Sequence, residues 1–266
     1  MRTFLFVGLL LFGVSANVGA DYSPLKRAAR SEVAILGHVT SIEKDTVEAT
    51  TEPTSKEKIS YTIASVKVET NIHGAKNTTH LKVGFTPGYS LRKGQFPKLD
   101  DGQKVCLFLI KHHGGNFYIF TNLAPPIEIN DKTQATVERL KRAAVTFDDP
   151  VKALRTVKAE DRLEAASLLI MKYRMPFCMI QNETAAVRLE ESQAILAVLM
   201  KADWSDSEQE FGAYQAFGNL AIGDIGRIHI KPGDKMSELW KAELNLWHAV
   251  DGKDYQIQKF IPKPKK

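Results

Sequence analysis

The sequence predicts an α+β protein in which a five-stranded β-barrel is followed by an all-α helical domain. Up to about residue 130 the apolar residues alternate with period two, and beyond it they recur with the period of a helix. The chain of 266 residues is 44% hydrophobic and 25% charged, which is typical of a folded globular protein. This length allows one large domain or two ordinary ones, and the change of period favours two, 21–130 and 131–262.

The first twenty residues have the features of a secretory signal peptide. Arg2 precedes an apolar run at 4–14, and the small residues of Val18-Gly19-Ala20 predict cleavage after Ala20. A bilayer-spanning helix needs about twenty apolar residues, so this run is too short to be one. No later stretch qualifies, and we therefore predict a secreted or periplasmic protein with no transmembrane segment in the mature chain.

Five segments before residue 130 show strand alternation. The predicted strands are 32–42, 64–73, 80–85, 104–111 and 116–121. Gly37 lies inside the first strand, where a bulge or bend is useful. The polar stretch 45–58, rich in Thr and Glu, predicts a mobile loop, and 87–102 predicts a packed surface loop.

Five strands in this order, with a bent first strand and a long second one, suit a small barrel of the OB type. The runs VAILGHVTSI, YTIASVKVETNIHG, LKVGF and DGQKVCLFLIKHHGGNFYIF resemble the netrin-like, or TIMP-like, OB-fold domains of secreted proteins. The resemblance covers about 31–123 and is closer to uncharacterised secreted bacterial proteins with such a module. TIMP-type inhibitors bind protease zinc through an amino-terminal cysteine, whereas this mature chain is predicted to start at Asp21. Their inhibitor activity therefore does not carry over.

The region 131–262 is predicted to be helical, and a short basic tail, 263–266, follows it. The predicted helices cover 132–145, 150–157, 160–173, 187–200, 207–221 and 236–250. Asp149 before Pro150 predicts a capped start with proline at the first helical position. The helix at 187–200 ends apolar almost all round and is predicted to be the central buried helix.

Two histidine pairs are the candidates for chemistry. His112 and His113 are adjacent in a strand pattern, so their side chains are expected on opposite faces, and Gly114-Gly115 predicts a two-residue hairpin turn with solvated histidines. His73 and His80 fall on the outward face, and the six residues between them could turn the chain and bring the rings together. They are the only candidate metal ligands, although no third ligand is evident nearby.

Cys106 and Cys178 are the only cysteines. They could form a disulfide that stabilises an exported protein by about 4 kcal/mol through loop closure. The alternative, which their apolar surroundings favour, is two separate buried thiols.

Known catalytic motifs are absent from the sequence, so no catalytic or cofactor-binding residue is predicted. The net charge of +5 is spread evenly and does not indicate a nucleic-acid partner. We predict an exported, non-catalytic binding protein for a protein or other extracellular ligand, with the strand face and the loop 45–58 as contact surfaces. The alternatives are an enzyme or enzyme inhibitor with a site between barrel and helices, and a structural cell-envelope protein.

Overall fold

The computed structural model describes residues 23–51, 53, 55–86, 98–120, 125–176, 182–206, 208–220 and 235–262. The predicted signal peptide with its cleavage site after Ala20, most of the predicted loop 87–102, Cys178 and the tail 263–266 lie outside them. In the described part, no helix is both long and apolar enough to span a membrane.

The described chain is α+β, as predicted. Its strands are β1 (Val33–Thr50), β2 (Lys58–His73), β3 (His80–Phe85), β4 (Lys104–Lys111), β5 (Tyr118–Phe120), β6 (Ile127–Glu128), β7 (Asn182–Ala186) and β8 (Gln258–Pro262). Its α-helices are α1 (Pro24–Arg30), α2 (Gln134–Asp148), α3 (Pro150–Ala153), α4 (Ala159–Arg174), α5 (Leu189–Lys201), α6 (Ala213–Leu220) and α7 (Met236–Val250). The region predicted to be all-α is thus not entirely helical, because β7 and β8 pair antiparallel within it.

Five strands of the main sheet each pair with at least two others. β1 pairs antiparallel with β2, β2 with β3, and β4 with both β5 and β1, whereas β3 and β5 pair in parallel. The short β6 adds to β4 through Val105 and Cys106. A shift in the β1–β2 register lies at Leu36/Gly37, as the glycine predicted. A Cβ on Gly37 would lie 2.3 Å from the carbonyl oxygen of Lys67, so only glycine allows this approach of the backbones.

The prediction of a mobile loop at 45–58 is wrong for most of that stretch. β1 continues to Thr50, and its residues Thr46–Thr50 pair with Thr62–Lys58 of β2. Only 51–57 connects the two strands. The β-branched Thr and Val residues of this segment favour extended backbone, and the facing strand supplies the hydrogen bonds that a loop would lack.

The two faces of the sheet bury their side chains in different clusters. On β4, Val105, Leu107 and Leu109 pack with residues of β1, β2 and β3, whereas Cys106 and Phe108 pack with the helices. The helix-side cluster also contains Ala34 and Leu36 of β1, Ile72 of β2 and buried residues of α1, α2, α4, α5 and α6. The strand-rich and the helical parts of the chain therefore share one hydrophobic cluster across residue 130.

Helix starts follow local signals. Pro150 begins α3, and the side chain of Asp149 accepts a hydrogen bond from the Lys152 backbone N–H at 3.2 Å, as predicted. Helix α1 has the same signals, an N-capping Ser23 followed by Pro24, but was not predicted. It buries Leu25, Ala28 and Ala29 in the helix-side cluster.

The adjacent histidines hold the far end of β1 instead of standing in solvent. Nε2 of His112 donates to the Thr50 carbonyl oxygen at 3.1 Å, its Nδ1 accepts from the Gly114 N–H at 3.1 Å, and Nε2 of His113 bonds the Thr50 hydroxyl at 2.8 Å. His112 is 1% exposed and stacks between His113 and Phe117, with ring centroids 4.4 and 4.5 Å away.

The predicted two-residue turn at Gly114-Gly115 is therefore wrong. β4 and β5 are joined by the longer segment 112–117, which a hydrogen bond from the His112 N–H to the Phe117 carbonyl closes at 3.0 Å. Alternation would place the two rings on opposite faces, but it applies only within a strand, and β4 ends before His112.

We expect His112→Ala to lower the free energy of unfolding by roughly 2 kcal/mol, because it removes a buried stacked ring and leaves the Thr50 carbonyl without its donor. Urea denaturation measures this loss. His113 is only half-buried, so His113→Ala is the matched control and is expected to cost well under half as much. Equal losses of unfolding free energy in the two variants would contradict the conclusion that His112 stabilises the end of β1.

Candidate functional site

A cleft of about 440 Å³ lies where the end of β2 meets α2 and α4. Its lining includes Asn71, His73, Val145, Phe147, Asp148 and Lys172. Because these residues come from three elements that are distant in the sequence, the cleft exists only once the helices have packed on the sheet.

His73 is held neutral at the wall of this cleft. It is 7% exposed, its ring packs edge-on against Phe147 with centroids 5.0 Å apart, and its Nε2 donates to the Ala28 carbonyl oxygen at 2.5 Å. Burial, together with the nearby charge of Lys172, lowers the His73 pKa to about 4. Since Nε2 carries the proton, Nδ1 is an acceptor, and it has no hydrogen-bond partner among the described residues.

Lys172 supplies the positive charge of the cleft. Its Nζ lies 4.7 Å from the centroid of the Phe147 ring, on the ring face. Among the described residues, no carboxylate lies within ion-pair distance of this ammonium. Burial lowers the Lys172 pKa to about 8, against the opposing effect of the Glu191 carboxylate and with a contribution from the positive Lys259.

Together these groups offer one donor and two acceptors. Lys172 donates, whereas Nδ1 of His73 and the exposed carboxylate of Asp148, the last residue of α2, accept. Titratable groups with shifted pKa values are frequent in clefts that serve as functional sites, because catalysis and binding need pKa values that differ from those in water.

A buried carboxylate next to this cleft connects α4 to α5. The Tyr173 hydroxyl donates to Glu191, and Arg188 contacts the other oxygen of that carboxylate at 3.5 Å. Burial and the bond to Glu191 raise the pKa of Tyr173. The Tyr173 phenol therefore stays protonated, and its hydrogen bond to Glu191 links α4 to α5.

The sequence-predicted metal candidates do not come together. His80 pairs with Lys67 on β2, six residues before His73, which corresponds to roughly 20 Å along the strand. His80 is exposed and bonds Thr79, while His73 lies under α1 and α2. Among the described residues, no cluster of three or more His, Cys, Asp or Glu side chains is arranged to hold a metal.

Cys106 is fully buried, and burial raises the pKa of its thiol, so it is not a reactive thiolate. Cys178 lies outside the described residues, so the choice between a disulfide with Cys106 and the favoured pair of separate buried thiols stays a prediction.

A larger cleft of about 570 Å³ lies between α3, α4 and α5. Its two arginines already have partners: Arg155 pairs with Glu190 at 2.8 Å, and Arg162 donates to the carbonyls of Thr156 and Val157, whereas Lys201 lines it as an exposed lysine. The cleft at His73 and Lys172 is the stronger candidate, because its ammonium is half-buried and has no carboxylate partner in the described part of the chain.

Sequence reasoning missed Lys172 and misplaced His73. Alternation correctly separated His73 from its apolar neighbours in β2, but it could not show that α1 and α2 cover the end of the polar face at His73, while Glu69 and Asn71 stay exposed. Nothing in the sequence around Lys172 predicts its burial, because a lysine on an amphipathic helix is usually exposed to solvent. No family model, curated protein or solved structure matches the chain in comparisons with known proteins.

Proposed function

We propose that the protein acts by binding, and that its ligand is a small organic acid held in the cleft between the sheet and the helices. One observation carries this proposal: Lys172 presents a half-buried ammonium that lies over the Phe147 ring and has no carboxylate within ion-pair distance among the described residues. With a pKa of about 8, the ammonium is mostly charged at pH 7 and is available to an anionic ligand.

The acceptors of the cleft narrow the ligand class. Nδ1 of His73 and the Asp148 carboxylate would take hydrogen bonds from a hydroxyl or amino group of the ligand. We therefore propose small hydroxy acids and amino acids, whose acid group pairs with Lys172 while the second group meets the acceptors.

We also propose that the five mutually paired strands form an OB-like barrel and that the protein is exported. The pairing order β1–β2–β3–β5–β4–β1 supports the barrel, because none of the five strands is left with a single neighbour. The resemblance of 31–123 to netrin-like domains also supports the barrel. The signal-peptide features of residues 1–20 support export.

We expect Lys172→Met to abolish acid binding while making the fold more stable. The variant keeps an unbranched side chain next to Phe147 but removes a charge that burial disfavours, so the free energy of unfolding at pH 7 should rise by roughly 1 to 3 kcal/mol. Calorimetric titration of the full chain at pH 6.5 with lactate, malate, glycine and glutamate tests binding, and urea denaturation tests stability.

The matched control is Lys152→Met, which removes an exposed lysine of α3. It should leave both binding and stability unchanged. The proposal fails if none of the four acids binds the wild-type chain, or if binding persists in Lys172→Met.

A further inference from the structure

We propose that the side-chain amine of Lys172 is a covalent site for small aldehydes, which it takes up as an imine inside the cleft. This goes beyond reversible acid binding and rests on the proposed function only in that the cleft must admit a small molecule. The carrying observations are the cleft of about 440 Å³, the position of Nζ over the Phe147 ring and the lack of a carboxylate partner within the described residues.

Burial favours the neutral amine of Lys172 and outweighs the nearby charges, of which Glu191 has the larger effect and favours the ammonium. Burial on α4 is the largest effect, and Lys259 of β8 adds repulsion. Glu191 of α5 opposes them, but its carboxylate is bonded to Tyr173 and contacted by Arg188. On the cleft side, His73 of β2 is neutral and Asp148 of α2 is exposed to solvent. The resulting pKa of about 8 leaves a substantial fraction of free amine at pH 8, whereas an ordinary lysine is almost fully protonated.

The chemistry needs no cofactor. The ammonium first loses a proton to solvent, and the nitrogen lone pair of Lys172 then forms a C–N bond with the aldehyde carbonyl carbon. The C=O π bond breaks as this bond forms, the oxygen takes up through solvent the two protons that the amine nitrogen loses, and it leaves as water, so that one amine and one aldehyde give one imine and one water. Nδ1 of His73, at the same cleft, can accept a hydrogen bond from the hydroxyl group of the carbinolamine intermediate.

The experiment traps the imine with propionaldehyde and cyanoborohydride, a hydride donor that reduces imines to stable amines. The full chain is treated briefly at pH 8, and peptide mapping by mass spectrometry gives the labelling rate of each lysine. We expect Lys172 to be labelled at least about tenfold faster than Lys152 and other exposed lysines. The α-amino group titrates in the same range and is resolved by its own peptide.

Two controls separate the site from general amine chemistry. In urea the preference for Lys172 should vanish, because the low pKa depends on burial in the folded chain. In Lys172→Arg, which keeps the positive charge, labelling of the other lysines should be unchanged. Labelling of Lys172 at the rate of Lys152 in the folded chain would overturn the inference. Acid binding is measured at pH 6.5 without aldehyde, so a failure of one proposal is distinguishable from a failure of the other.

Discussion

Phe108→Ala is expected to lower the free energy of unfolding by about 3 to 5 kcal/mol, a large part of the stability of an ordinary domain. Phe108 is completely buried on β4 and faces the cluster that the helices share with the sheet. Truncation removes the largest side chain that β4 contributes to this cluster, and the backbone around it can collapse only partly.

The effect should appear in both parts of the chain. All tryptophans of the protein, Trp204, Trp240 and Trp247, follow residue 130, so tryptophan fluorescence reports the helical part. In urea, we expect the fluorescence transition and the circular-dichroism transition of Phe108→Ala to move together to lower denaturant. A fluorescence transition that stays at the wild-type midpoint would mean that the helices unfold independently of the sheet. The graded control is Phe108→Leu, which keeps most of the volume and should cost less than half as much.

The second large effect is the loss of stability in acid caused by His73. In the folded chain this histidine stays neutral down to a pKa of about 4, because its ring is buried beside Lys172, whereas in the unfolded chain it titrates near 6.5. As the pH falls from 6.5 to 4, the unfolded state binds a proton that the folded state does not, so the folded state is progressively disfavoured. The loss amounts to roughly 3 kcal/mol across this interval.

The measurement compares the pH dependence of the unfolding free energy in the wild type and in His73→Gln. Glutamine can still donate to the Ala28 carbonyl but does not titrate, so the difference between the two curves should change by roughly 3 kcal/mol between pH 6.5 and 4. His80→Gln is the control, since His80 is exposed, and its curve should run parallel to the wild type. A constant difference between wild type and His73→Gln would show that His73 is not buried neutral.

Several elements were predictable because their signals are local. The helices α2, α4, α5 and α7 lie close to the predicted positions, since their apolar residues recur at helical spacing. The ends of β1 and β2 were missed because Thr, Glu and Lys dominate 45–58, and the few apolar residues in and next to this stretch, such as Ala49, Ile59 and Tyr61, pack together only once the two segments have paired. Strands β7 and β8 were missed because both are short and stabilise one another only when paired, whereas their paired residues, such as Thr184 and Phe260, are about 76 positions apart in the sequence.

The candidate site depended almost entirely on tertiary structure. His73, Phe147 and Lys172 lie on β2, α2 and α4, and no local pattern relates three residues so distant in the chain. The shifts in pKa at this site come from burial by neighbouring elements, which a sequence pattern does not reveal.

The sequence by itself determined the α+β class, the change from strands to helices near residue 130, the start of α3 at Asp149 and Pro150, and the apolar character of both faces of β4. These properties follow from the repeat of the backbone and from capping within a few residues. Only the tertiary structure decided which face of β4 meets the helices, that His112 binds the end of β1, and that a neutral histidine and a half-buried lysine share one cleft. Such contacts join parts of the chain that are distant in the sequence, and they form only when the apolar faces of the helices and the sheet pack together.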